Sequence, residues 1–198
     1  MKRIIGSVFA CVLLLVSIVT ADDIIASIDN GKQYYSQGKY SQANQELLFA
    51  VQQIQGKLAD LYSAALPPEQ PGWELDGPNT DNMTLLGGGI SVQSQYSFYG
   101  DDDIYKTVSI NIVSDSPLLS SVMMLINNPM FMPTGSRAVT IEGYKAVEEW
   151  YDDSGKLQFV MDNRILVTVE TSGLQSKDEM HAWAKKIDFA QLKKLLAS

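Results

Sequence analysis

Pro67-Pro68-Glu69-Gln70-Pro71-Gly72 divides the chain into two stretches that follow different rules. Proline excludes the helical conformation for the residue before it and donates no backbone hydrogen bond, so a helix ends at this block. Residues 24–66, on its N-terminal side, contain no proline, and their apolar residues recur at helical spacing with one break at Ser36-Gln37-Gly38-Lys39. The pattern predicts a helical hairpin. In its second half Leu47, Val51, Ile54, Leu58, Leu61 and Ala65 follow steps of 4, 3, 4, 3 and 4, which places them on one stripe of a single long helix. Such a stripe needs a cover, and packing onto the following domain is the expectation, with another chain as the alternative. The same spacing suits a coiled coil, but the flanking Leu48, Ala50, Gln55, Lys57, Tyr62 and Ala64 carry almost none of the opposite charges that specify one.

Beyond the proline block the period changes to two. Ile90, Val92, Ser94, Tyr96 and Phe98 alternate with Ser91, Gln93, Gln95, Ser97 and Tyr99, and Val108, Ile110 and Ile112 alternate with Thr107, Ser109 and Asn111. These are two half-buried strands joined by a turn at 100–103. A short helix is predicted over 117–127, with Ser116 as its cap and Pro117 at the first helical position. Strands resume near Ala138, at 139–142 and 144–151 around Gly143. A hairpin at 157–161 and 165–171 turns on Asp162-Asn163, a pair suited to positive backbone angles. An amphipathic helix over 177–186 leads through Ile187-Asp188-Phe189 into a short terminal one. Tight turns between alternating strands imply an antiparallel sheet of about six strands packed with helices, hence α+β. The expected organisation is a signal peptide at 1–21, a helical hairpin at 22–66 and a sheet domain at 67–198.

The signal peptide rests on Lys2 and Arg3, an apolar and small-residue run from Ile4 to Val19, and Thr20-Ala21 before Asp22-Asp23. Cleavage between Ala21 and Asp22 would leave 177 residues, periplasmic or secreted. An uncleaved anchor is the rival, because a run of this length is at the lower edge of what spans a bilayer. Cys11 lies inside the run, not at its end, which excludes a lipoprotein. Cleavage removes this one cysteine, and with it disulfides and thiolate metal sites. It also leaves 13 basic against 23 acidic residues, a net charge of −10. Such a surface repels phosphate backbones and anionic headgroups, so nucleic acid is not expected as a partner, nor a membrane except through an uncleaved signal segment.

Residues with catalytic chemistry are sparse. His181 is the one histidine, which leaves a Ser/His/Asp or multi-His metal arrangement nothing to build on beyond a single ring, and its place in a helix beside Trp183 reads as a boundary residue. Ser36-Gln37-Gly38-Lys39 has a Ser-x-x-Lys spacing but lies in the interhelical turn, and Gly87-Gly88-Gly89 lacks the Lys and Ser/Thr that hold phosphates. Asp101-Asp102-Asp103 and Asp152-Asp153 sit where aspartate is favoured in turns, without the alternating spacing of a calcium loop. No cofactor is implied.

Two surfaces are candidates. Met123, Met124, Met130, Phe131 and Met132 cluster around Asn127-Asn128-Pro129. The first reading is that Met123 and Met124 fill core gaps while the loop caps the sheet, then an adaptable surface for a partner or apolar ligand, then thioether ligation of Cu(I). The face carrying Ser91, Gln93, Gln95, Ser97, Thr107, Ser109 and Asn111 is polar but nearly uncharged, which suits an interface or a surface beneath the helical arm.

Gly31, Tyr34, Gly38, Tyr40, Ala43, Leu47 and Ala50 fall at the spacing of a tetratricopeptide repeat, and residues 22–66 resemble one such unit. No second copy follows, so it forms no solenoid. Leu66-Pro67-Pro68 leading to Gly72-Trp73, the strand hairpin, Ser116-Pro117-Leu118 and Lys186-Ile187-Asp188-Phe189 resemble, in their order, the PsbP-like superfamily of α/β/α sandwiches. That resemblance implies an exported, mostly non-enzymatic binding or assembly factor. The expected function is therefore protein binding by the helical arm and the sheet domain, with Leu58, Leu61, Gln93, Gln95 and the Met-bearing segment as candidate surface residues. A carrier of a small apolar ligand or lipid is the alternative. A hydrolase is third, and no carboxylate pair is selected for it.

Overall fold

The structure, a computed structural model, describes residues 21–82, 89–101 and 104–197. The signal-like run with Cys11, Gly87-Gly88 and Asp102-Asp103 lie outside the described residues. Helix α1 (Ala21–Ser36) and helix α2 (Tyr40–Ser63) form the expected hairpin. Its reversal is made at Gly38, at φ +72°, and the Lys39 N–H returns to the Tyr34 carbonyl at 2.9 Å. The helices approach closely at Gly31, where a Cβ would lie 2.7 Å from Leu47 Cγ. Among the described residues, those up to Gln53 and those from Ile54 onward pack as two units. The division falls inside α2, ahead of the proline block, because the last turns of α2 and the residues after them send Ala59, Tyr62, Ala65 and Leu66 into the core of the sheet.

Seven strands make one antiparallel sheet in the order β1-β2-β3-β7-β6-β5-β4. They are β1 (Glu74–Asn82), β2 (Ile90–Tyr99), β3 (Tyr105–Ser114), β4 (Arg137–Ile141), β5 (Tyr144–Tyr151), β6 (Ser154–Met161) and β7 (Ile165–Ser172). The sequence predicts the last six and misses β1. That strand carries one aliphatic residue, Leu75, and its pairing with β2 shifts register at Gly77-Pro78 between Asp76 and Asn79. It is an edge strand, where one side of the backbone ladder needs no partner and proline is tolerated. The turns behave as the sequence implies. Asp162 and Asn163 both have positive φ, at 46° and 59°, and so do Glu142 and Gly143, at 48° and 89°.

Helix α3 (Leu118–Asn127) follows β3, and α4 (Lys177–Ala184) and α5 (Phe189–Leu196) close the chain. The Pro117 backbone is already helical at φ −57°, as expected of a first helical position, and Pro117 makes no side-chain cap. Ser176 caps α4 by accepting from the Glu179 N–H, and Asp188 caps α5 by accepting from the Gln191 N–H at 2.9 Å. The core lies on one face of the sheet. Val92, Val108, Ile110, Ile112, Val167, Val169, Leu157 and Phe159 meet Ala65, Met180, Trp183 and Leu192, and each of the strand residues is fully buried. Each such side chain contributes about 1.5–3 kcal/mol of transfer free energy. On the opposite face α3 covers a smaller cluster, in which Leu119 and Val122 meet Val113, Val160 and Leu166. Among the described residues no helix is long and apolar enough to cross a membrane.

Candidate functional site

The α2 stripe differs along its length, and its last member, Ala65, is fully buried in the sheet core. Leu47, Val51, Ile54 and Leu61 are 41%, 48%, 41% and 43% exposed, while Leu58 is half-buried against the sheet core. Small and aromatic residues on other positions of the helix are buried instead: Ala43, Ala50, Ala59 and Tyr62. At the crossing it is the Leu47 side chain that closes on Gly31, so Leu47 is only partly uncovered. In residues 21–53, Ile25, Ile28, Tyr35, Tyr40, Leu47, Leu48, Phe49 and Val51 are all exposed, by 39% to 66%. Tyr35 and Tyr40 stack edge-to-face at 5.4 Å across the turn. Leu58 and Leu61 thus have separate roles, the first bracing the core and the second facing outward.

In the methionine-bearing segment Met124 is 55% exposed, which corrects the core-filling reading for it, and in the loop Met130 is 91% and Phe131 56% exposed. Met123 and Met132 are half-buried. Apolar contact with the sheet is supplied by Leu119 and Val122, one turn apart on α3, so Met124 is left on the outer side. A short 3-10 turn at Pro129–Phe131, fixed by the Met130 N–H donating to Asn128 Oδ1 at 3.1 Å, presents Met130 outward. The Tyr151 hydroxyl, donating to the Thr134 carbonyl at 2.7 Å, ties down the chain that follows.

Gln93 is exposed and Gln95 half-buried on the sheet face opposite the main core. Their strand partners Asn111 and Ser109 continue to Thr168 and Glu170, then to Gln158 and Lys156. All of these except Gln95 line a depression of about 250 Å³. Its charge is higher than the β2 and β3 sequences alone suggest. Lys156 pairs with Glu170 at 2.9 Å, and β1 brings Asp76 beside Gln95.

One constellation was not legible in the sequence. Glu148 on β5 is 2% exposed, in a row of otherwise apolar side chains beside Leu157. Arg137, its register partner on β4, donates Nε–H to Glu148 Oε1, and His181 on α4 bonds Glu148 Oε2 through Nε2. Burial pushes this carboxyl up, but the hydrogen bonds and charges of Arg137 and His181 outweigh it and hold Glu148 below the usual carboxylate value. Both oxygens are occupied, so the group acts as a tie between α4 and the β4–β5 hairpin and not as a free base. The sequence hides it because Glu148 and Glu149 are adjacent, and nothing in an alternating strand says which points inward. Tyr96 makes a second tie. It is fully buried, burial pushes its phenol up to about 12, and its hydroxyl donates to the Pro67 carbonyl at 2.5 Å.

Near Pro71 the core-side face of the sheet meets α4 and the residues just after it in a second depression, whose walls are Trp73, Phe98 and Trp183. Among the described residues no group of three His, Cys, Asp or Glu side chains is placed to hold a metal ion. No protein-family model, curated protein or solved structure is found to match this chain.

Proposed function

We propose that the chain is an exported, non-enzymatic binding or assembly protein whose helical arm docks a helix of a partner protein. The observation that carries this reading is the set of eight large apolar side chains left exposed in residues 21–53. Large apolar side chains left in water in this number cost free energy and are retained where something covers them. Its spacing on α2 at Leu47 and Val51, with Leu48 beside them, is that of a surface read by another helix. The resemblance of the hairpin to a tetratricopeptide unit supports the same use, and the order of basic, apolar and small residues at 2–21 supports export. Occupation of both Glu148 oxygens supports a structural, not a catalytic, role for the one histidine.

The test replaces Leu48 and Val51 together by aspartate, two exposed positions one turn apart. Leu58→Asp is unsuitable because that side chain braces the sheet core. The full chain, purified gently from the cells that make it, is expected to carry a second polypeptide in native mass spectrometry, and the double variant to lose it with its melting curve unchanged. A complex that persists in the double variant contradicts the proposal.

A further inference from the structure

The depression near Pro71 has a chemistry of its own. Gln70, Pro71 and Trp73 of the loop before β1, Phe98 of β2, Lys106 of β3, and Glu179, Ala182, Trp183 and Lys186 of the α4 region line an open depression of about 340 Å³. That volume lies in the range of small-molecule sites, which are mainly apolar with a few placed polar groups. The aromatic wall is continuous, because the Trp73 ring centroid lies 5.6 Å from that of Phe98 and 4.9 Å from that of Trp183. Trp183 is in turn fixed from behind by the buried Tyr96 at 4.6 Å. The wall is therefore built before any ligand arrives.

Two ammonium groups stand over this wall. Lys106 Nζ is 5.9 Å from the Phe98 centroid and Lys186 Nζ is 5.3 Å from the Trp183 centroid. The lining carries one carboxylate, Glu179, and its Oε2 is 3.9 Å from Lys106 Nζ, at the outer limit of an ion pair. Lys186 bonds a neutral amide oxygen, Gln70 Oε1, at 2.5 Å. The Lys106 side chain is only 18% exposed, so its charge is partly withdrawn from water with weak compensation. In a chain of net charge −8 such a local positive excess is not a consequence of composition. An anion held between the two ammonium groups would complete the pairing, and a flat apolar body would lie against the rings.

We infer that this depression binds a small aromatic carboxylate, with Lys106 and Lys186 holding the carboxylate and Trp73, Phe98 and Trp183 the ring. The probe is 1-naphthoate, titrated into the ¹⁵N-labelled full chain while the indole N–H resonances of the three tryptophans are followed. Trp73 and Trp183 are expected to shift saturably with a dissociation constant tighter than about 1 mM, with Trp150 as the internal control that stays still. Lys106→Met and Lys186→Met keep the apolar stems, and each is expected to weaken binding about tenfold. The neutral analogue 1-naphthylmethanol is expected to be weaker by a similar factor. Equal affinity for the neutral analogue, unchanged affinity in both lysine variants, shifts spread equally over all three indoles, or no saturation would each overturn the inference.

Discussion

Replacing Glu148 by glutamine removes the charge from the buried tie while keeping its shape. In the native chain Glu148 accepts two charge-assisted hydrogen bonds, from Arg137 and His181, each of a kind that contributes about 1.5–3 kcal/mol. Breaking a fully buried pair costs about 3–5 kcal/mol. Here Arg137 is 50% exposed and regains water when released, and glutamine retains one acceptor oxygen. The expected loss is therefore about 2 kcal/mol, which at an ordinary urea dependence moves the midpoint down by about 1 M. The pH dependence fixes the mechanism. The native carboxyl lies below its ordinary value of 4.5, so its contribution is present above that value and is lost as pH falls through the native one. Urea melts followed by tryptophan fluorescence report the sheet unit, since Trp73, Trp150 and Trp183 all belong to it. The gap between wild type and Glu148→Gln should be full at about pH 7 and smaller at about pH 3, below the ordinary value. A gap of equal size at both pH values, or none at neutral pH, refutes a buried ionised carboxylate.

Two further variants test the sheet. Phe159 is fully buried, its ring centroid 5.7 Å from Phe189 and 6.4 Å from Tyr144, so Phe159→Ala should cost about 3–5 kcal/mol in the same melts. Gly173 leaves β7 at φ +76°, and a Cβ there would stand 2.3 Å from the Tyr105 carbonyl oxygen; Gly173→Ala should cost about 2–4 kcal/mol by calorimetry, and a variant within experimental error of wild type would show that this backbone contact yields freely.

The elements with strong periodicity were legible before the fold was seen. The hairpin break at Ser36-Gln37-Gly38-Lys39, the strand pair from Ile90 to Ile112 and the Asp162-Asn163 turn all rest on local rules, and local rules decide them. Strand β1 is invisible for the converse reason, since its nine residues hold Gly77, Pro78 and mostly polar side chains, and pairing with β2 alone makes them a strand. The α2 stripe, expected to pack on the sheet domain or another chain, joins the sheet core at Leu58 and Ala65 and is exposed at Leu47, Val51, Ile54 and Leu61. Periodicity reports that a helix has two faces, and it does not report which residues of a face are covered. Neither Glu148 nor the aromatic depression was accessible to spacing arguments. Arg137, Glu148 and His181 are brought together by strand register and by the docking of α4. Trp73, Phe98 and Trp183 come from a loop, a strand and a helix separated by most of the domain.

The exposed arm is the central claim, and a photo-reactive side chain placed on it tests the claim directly. Benzoylphenylalanine at Val51 should cross-link to one partner polypeptide in the cells that make the protein, through a site on that partner which maps to a helix. The same group at the exposed Asp152, in the β5–β6 turn, should give no such adduct. Adducts of the same mass from both positions, or none from Val51, would contradict a docking role for the arm.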